Sequence, residues 1–158
     1  MPNSPLELER FLPYQLSVLA NTISQAIARE YAERFGLAVT EWRVLAVLGR
    51  YAGLSAVEVA ERTAMDKVAV SRAVNSLLKA GRLKRDLHAD DRRRSVLALT
   101  AKGRKVYAEV APMALRYERE LLAVLSAEER LWLERILGKL VGEGHDALAR
   151  AAASRPRP

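Results

Sequence analysis

The chain has 158 residues, half of them hydrophobic, and carries 26 Lys/Arg against 19 Asp/Glu for a net charge of +7. That length predicts a single domain, residues 1–158, with enough apolar residues for a core, and the absence of cysteine excludes disulfides, thiol redox sensing and cysteine-ligated metal. His88 and His145 have no ligand spacing, no apolar run approaches a membrane span, and MPNSP lacks the charged and apolar regions of a signal peptide; the expectation is a cytoplasmic protein with no metal, no cofactor and no membrane contact.

Residues 1–10 are expected to fray. Pro13 suits the first turn of a helix running to about Phe35, with Leu16, Leu19, Ala20, Ile23, Ile27, Tyr31 and Phe35 on one face and Gly36 at its end. Thr40 is the expected cap of a helix over Glu41–Arg50. Trp42, Val44, Leu45, Val47 and Leu48 make that helix apolar almost all round, so it should be buried between neighbours. Ser55 and Glu58 form a capping box that opens a third helix, and Arg62–Met65 reads as the turn into a fourth, Asp66–Gly81. Asp66 can cap that helix and Gly81 can end it. Leu83–Leu87 and Ser95–Leu99 read as two short strands. Thr100 should cap a long helix, Ala101–Leu125, kinked at Pro112. Ser126 opens a second capping box, SAEE, before a last helix over Glu128–Leu148, and the tail AAASRPRP is expected to be disordered.

The Asp66–Gly81 helix carries the first chemical signal. Val70, Ala73, Val74, Leu77 and Leu78 recur at i, i+3, i+4, i+7 and i+8, while Lys67, Ser71, Arg72 and Asn75 fall on the opposite face. A helix with one face in a core and a small, polar, basic face outward can enter the major groove of DNA. An ordinary surface helix shows the same pattern, so the helix alone leaves both readings open. The hairpin adds a second signal. Its tip, HADDRRR, presents Arg92, Arg93 and Arg94 in several directions, as needed to straddle a phosphate backbone and reach the narrow minor groove; a solvated charge cluster is the bland alternative. The third signal is where the charge sits. Residues 66–105 hold 12 Lys/Arg and four Asp/Glu, leaving 14 against 15 for the rest, and a localised basic patch is the footprint of a nucleic-acid surface, here expected to take double-stranded DNA. Helix followed by basic hairpin is the winged helix-turn-helix arrangement.

From about Thr40 to Gly103 the chain resembles the MarR (multiple antibiotic resistance regulator) family of bacterial transcription regulators. The residues that carry the resemblance are Glu58-Val59-Ala60, Asp66–Leu78, Gly81-Arg82-Leu83, Asp91-x-Arg93, Leu99-Thr100 and Lys102-Gly103. With flanking helices it covers roughly residues 10–145. The resemblance implies a mainly α fold with a small β-hairpin wing: a winged helix-turn-helix DNA-binding lobe at 40–103, with N- and C-terminal dimerisation helices at 10–36 and 104–148. It puts Arg93 in the minor groove, and Asp91 is expected to hold the wing arginine or the hairpin in shape. Arg92 and Arg94 are then assigned to phosphates.

The terminal helices hold more apolar residues than a helix lying on a small domain needs. They either pack on their own subunit or build a homodimer interface, and a dyad that lets two recognition helices read a palindrome favours the second. The family also implies a repressor released by a small effector, an aromatic acid, a phenol or a coenzyme A thioester, seated where the dimer helices meet the DNA-binding lobe. Trp42 and Arg43 are the candidates there, an aromatic surface beside a carboxylate-binding guanidinium; the alternative puts Trp42 in the core and Arg43 at the surface. No catalytic constellation occurs: no Ser/His/Asp set, no phosphate loop, no metal cluster. Two other functions stand beside the regulator, an architectural DNA-coating protein without sequence choice and a winged helix used for protein–protein contact.

Overall fold

A computed structural model of the chain describes residues 6–87 and 95–154. The elements are α1 (Leu12–Phe35), α2 (Val39–Arg50), α3 (Ala56–Thr63), α4 (Lys67–Lys79), β1 (Leu83–Leu87), β2 (Ser95–Leu99), α5 (Ala101–Leu122) and α6 (Ala127–Ala153). This is the mainly helical fold with one two-stranded hairpin that the sequence predicts. The chain divides into two compact units, one ending at Tyr117 and one beginning at Glu118.

The core of the first unit is built where helical periodicity places it. Val44, Leu45 and Leu48 of α2 meet Val59 and Ala60 of α3 and Val70, Ala73, Val74 and Leu77 of α4. Leu83, Leu97 and Leu99 close this core from the hairpin, and Tyr31, Val106, Val110 and Met113 add the flanks of α1 and α5. The helix α2 is buried between neighbours, as its nearly continuous apolar surface demands. Strands β1 and β2 pair antiparallel with Leu83 opposite Leu99 and Arg85 opposite Leu97. A bridge that the sequence does not announce joins Leu54 to Leu97, whose amide donates to the Leu54 carbonyl at 2.8 Å; it ties the loop before α3 to the hairpin.

Several boundaries differ from expectation, each for a local reason. The chain is not frayed up to residue 10: Leu8–Arg10 form a 3-10 turn, and the Gln15 side chain donates to the Glu9 carbonyl at 2.6 Å. Helix α2 begins at Val39, and Thr40 lies inside its first turn rather than capping it. The end is held instead by the buried Glu41, whose carboxylate accepts the Ala38 N–H at 2.8 Å, half of a capping box with no side-chain acceptor at the cap itself. Arg62 and Thr63 belong to α3, and the turn is made by Ala64 at φ +50°. Helix α5 runs through Pro112 and ends at Leu122, three residues early, because Ser126 starts a new helix by accepting the Glu129 N–H. Helix α6 continues to Ala153, so the alanine run of the tail is helical, in keeping with alanine's high helix propensity. Residues 155–158 lie outside the described residues.

Candidate nucleic-acid interface

The first turn of α4 is fixed by Asp66, whose carboxylate accepts the N–H groups of Val68 and Ala69 at 2.9 and 3.1 Å. That cap sets which residues face inward. Val70, Ala73, Val74 and Leu77 are buried; Lys67, Ser71, Arg72 and Asn75 are all exposed, as their spacing predicts. Neither Lys67 nor Arg72 takes part in an ion pair among the described residues. The structure therefore brings four of the sequence-derived candidates onto one open face. It adds a fifth that reasoning from polarity passes over: Val68, which is 56% exposed. At about 100° per residue, Val68 shares the stripe of Ser71, Arg72 and Asn75 at i, i+3, i+4 and i+7.

The far end of α4 is held by the residues between it and α5. Gly81, at φ +68°, lets its own N–H reach the Leu78 carbonyl at 3.0 Å and the Arg82 N–H reach Leu77 at 2.9 Å, a Schellman closure. The remaining carbonyls are taken from the far side of the hairpin. Thr100 Oγ1 donates to Gly81 O at 2.7 Å, Lys102 Nζ donates to Ala80 O at 2.8 Å, and the Thr100 amide donates to Arg82 O at 3.1 Å. Gly103 allows α5 to come this close, because a Cβ there would lie 2.0 Å from the Arg82 carbonyl oxygen. The Arg82 guanidinium extends the tie by donating to the Phe35 carbonyl at the end of α1. The pattern Leu99-Thr100, Lys102-Gly103 is thus a clamp that holds the recognition helix to the root of the wing.

This geometry corrects part of the charge argument. Lys102 and Arg104 count toward the basic excess of residues 66–105, yet Lys102 is spent on the end of α4, where a cation also complements the helix dipole. Arg104 donates to Leu99 O at 2.7 Å, and Lys84 pairs with Asp86 at 2.6 Å. The wing candidates Asp91, Arg92, Arg93 and Arg94 lie outside the described residues.

Around Trp42 the structure brings together α1, α2 and α5. The indole, half-buried, stacks on Tyr107 of α5 at 6.0 Å and 27° and tilts against Tyr31 of α1 at 6.1 Å. Burial raises the Tyr31 phenol above its ordinary pKa, opposed by the charge of Arg43. Arg43 turns away from the indole to α1, donating to Ser24 Oγ at 3.1 Å. A groove of about 500 Å³ lined by Tyr107, Leu48, Gly49, Ala98, Leu99 and Arg104 includes neither Trp42 nor Arg43. Among the described residues no group of His, Asp or Glu could hold a metal ion, and no helix is long and apolar enough to cross a membrane.

Comparison with known proteins supports a DNA-binding regulator. Residues 35–94 match the family model described as the MarR family. A crystal structure of a MarR/EmrR family transcriptional regulator from Acinetobacter sp. ADP1 superposes with a TM-score of 0.81 at 28% identity, covering 89% of this chain and 99% of that one. The chain is similar to the MarR family of transcriptional regulators. It is also similar to YwoH of Bacillus subtilis, an uncharacterized HTH-type transcriptional regulator, with 28% identity over 123 residues, 78% of this chain and 88% of YwoH. CouR from Rhodococcus jostii RHA1, solved bound to p-coumaroyl-CoA, has the same fold at a TM-score of 0.75 and 20% identity, covering 87% and 96% of the two chains. By this similarity the chain is a DNA-binding transcriptional regulator, and α3, α4 and the β1–β2 hairpin form a winged helix-turn-helix.

Proposed function

We propose that this regulator is a homodimeric repressor that places two copies of α4 in the major groove of a palindromic operator and that a small aromatic effector releases it. The observation that carries the DNA reading is the open face of α4, whose Lys67 and Arg72 have no ion-pair partner among the described residues, clamped to the wing by Thr100, Lys102 and Gly103. Arg72 and Asn75 read base edges, flanked by Lys67 and Ser71. Arg93 enters the minor groove, Arg92 and Arg94 bind phosphates, and Asp91 braces the tip. Residues 40–103 are the reading lobe; residues 10–36 and 104–148 pair the copies.

The exposed apolar surface of the terminal helices supports pairing. Helix α6 buries none of its residues, with Leu131 at 68%, Trp132 at 51% and Val141 at 78% exposure, and the first half of α1 exposes Leu12, Tyr14, Leu16 and Leu19. Isolated exposed leucines are ordinary, but whole apolar helix faces mark an interface. The Tyr31–Trp42–Tyr107 stack supports an aromatic effector, because a ring wedged against it would move α1, α2 and α5 together and change the separation of the recognition helices. Arg43, held on Ser24, is the carboxylate or thioester-phosphate anchor. At 20% identity the ligand of CouR does not carry over, but it is the first compound to try. The test is operator release, followed by Trp42 fluorescence in a Trp132→Phe background, on titration with p-coumaroyl-CoA and simple aromatic acids and phenols. If none of these classes releases DNA, the effector reading falls. If one does and Arg43→Ala responds at the same concentration, Arg43 is not the anchor.

A further inference from the structure

The polar face of α4 has an apolar residue at its N-terminal end. Val68 occupies the second position of the helix, 56% exposed, in line with Ser71, Arg72 and Asn75. Its amide is bound by the Asp66 cap, which orients this first turn rigidly. Val70, Ala73, Val74 and Leu77 of α4 are buried in the core, and Val68 is not among them. A valine here also lowers helix propensity compared with alanine, so neither packing nor local stability accounts for it.

We propose that Val68 determines specificity by packing on the C5-methyl group of a thymine in each half-site. The inference rests on the groove-facing reading of α4 given above. Thymine is the one base that presents a methyl group in the major groove, and apolar side chains recognise it by contact. The helix N-terminus is the part that reaches base edges in helix-turn-helix docking, and Val68 is the apolar side chain in its first turn with most of its surface free. Ser71 and Arg72, one turn on, flank it with hydrogen-bond donors for neighbouring bases.

The test uses a duplex selected by the full-length protein from a random library, with each half-site thymine replaced in turn by deoxyuridine, which lacks only the methyl group. For the wild type, one replacement per half-site should weaken binding by about fourfold, the worth of one buried methyl-sized group. In Val68→Ala that same replacement should cost nothing, while the other thymines behave as in the wild type. A selected half-site without thymine, or an equal loss in Val68→Ala at every position, overturns the proposal. Arg72→Ala on the same duplex separates the two levels. If Arg72→Ala weakens binding while Val68→Ala leaves every deoxyuridine effect intact, only the thymine contact fails. If neither substitution affects operator binding, the groove-facing reading of α4 fails with it.

Discussion

Arg72 and Gly103 show two kinds of dependence on a single side chain. Arg72 supports nothing in the fold: it is exposed, and no acidic partner among the described residues holds it. Arg72→Ala should therefore leave the melting temperature within error and cost about 1–3 kcal/mol on the operator, with preference relaxed at one or two base pairs. Equal losses on operator and random DNA would remove it from base reading. Gly103 is the opposite case. A methyl group there would have to displace the Arg82 carbonyl, 2.0 Å from an added Cβ, so Gly103→Ala should lower stability in urea by about 1–3 kcal/mol. It should weaken specific DNA binding through the loosened clamp. Residue identity alone would class Lys102 with the DNA contacts; its role at Ala80 O became visible only with the tertiary position of α5. Val68 escaped notice for the reverse reason, since a polarity count cannot see an apolar residue standing among polar ones.

At the scale of elements, the legible features were those fixed within a few residues. The caps at Ser55, Asp66 and Ser126 and the apolar stripe of α4 follow from neighbours in sequence, and all are present. What was not legible depends on distant partners or on competition between ends. The Leu54–Leu97 bridge needs the hairpin in place, and the start of α2 was decided by Glu41 reaching back to Ala38 rather than by Thr40. The turn between α3 and α4 carries a testable strain. Ala64 sits at φ +50°, a region that disfavours residues with a Cβ. Ala64→Gly should raise unfolding free energy by about 0.5–1 kcal/mol, seen as a higher denaturation midpoint with an unchanged slope; a loss of stability would show that the turn gains more from the methyl group than the backbone loses. The start of α6 should respond to acid. The Ser126 amide and then its hydroxyl hold the Glu129 carboxyl below its ordinary pKa, so its help to this helix is present above the ordinary carboxylate range and lost as pH falls through the lowered value. Glu129→Gln should remove that acid dependence from the α6 amide exchange rates, whereas Ser126→Ala, which keeps the amide donor, should only reduce it. For the wing, Arg92→Ala should flatten the slope of log affinity against log salt by about one unit, and an unchanged slope would take Arg92 off the phosphate list. Asp91→Ala should weaken binding although it removes a negative charge; tighter binding would show Asp91 to be a repulsive bystander.

For the whole molecule, the winged helix-turn-helix was readable from the order of helix and basic hairpin, whereas the proposed pairing rests on apolar faces that this chain alone leaves uncovered. Leu137→Glu, on the exposed apolar surface of α6, should yield a monomer in sedimentation with unchanged helical content. Its operator affinity should fall about 100-fold or more, the order of the gain from linking two sites. A dimer of full affinity would move the interface elsewhere. The central claim is that α4 reads sequence, twice, about a dyad. Selection of bound DNA from a random library, followed by footprinting of the winning duplex, measures it most directly. The expected result is an inverted repeat with half-site centres about one helical turn apart, bound on the order of 1,000-fold or more tighter than random duplex. Uniform protection, with no sequence enriched, would contradict it and leave a DNA-coating protein in its place.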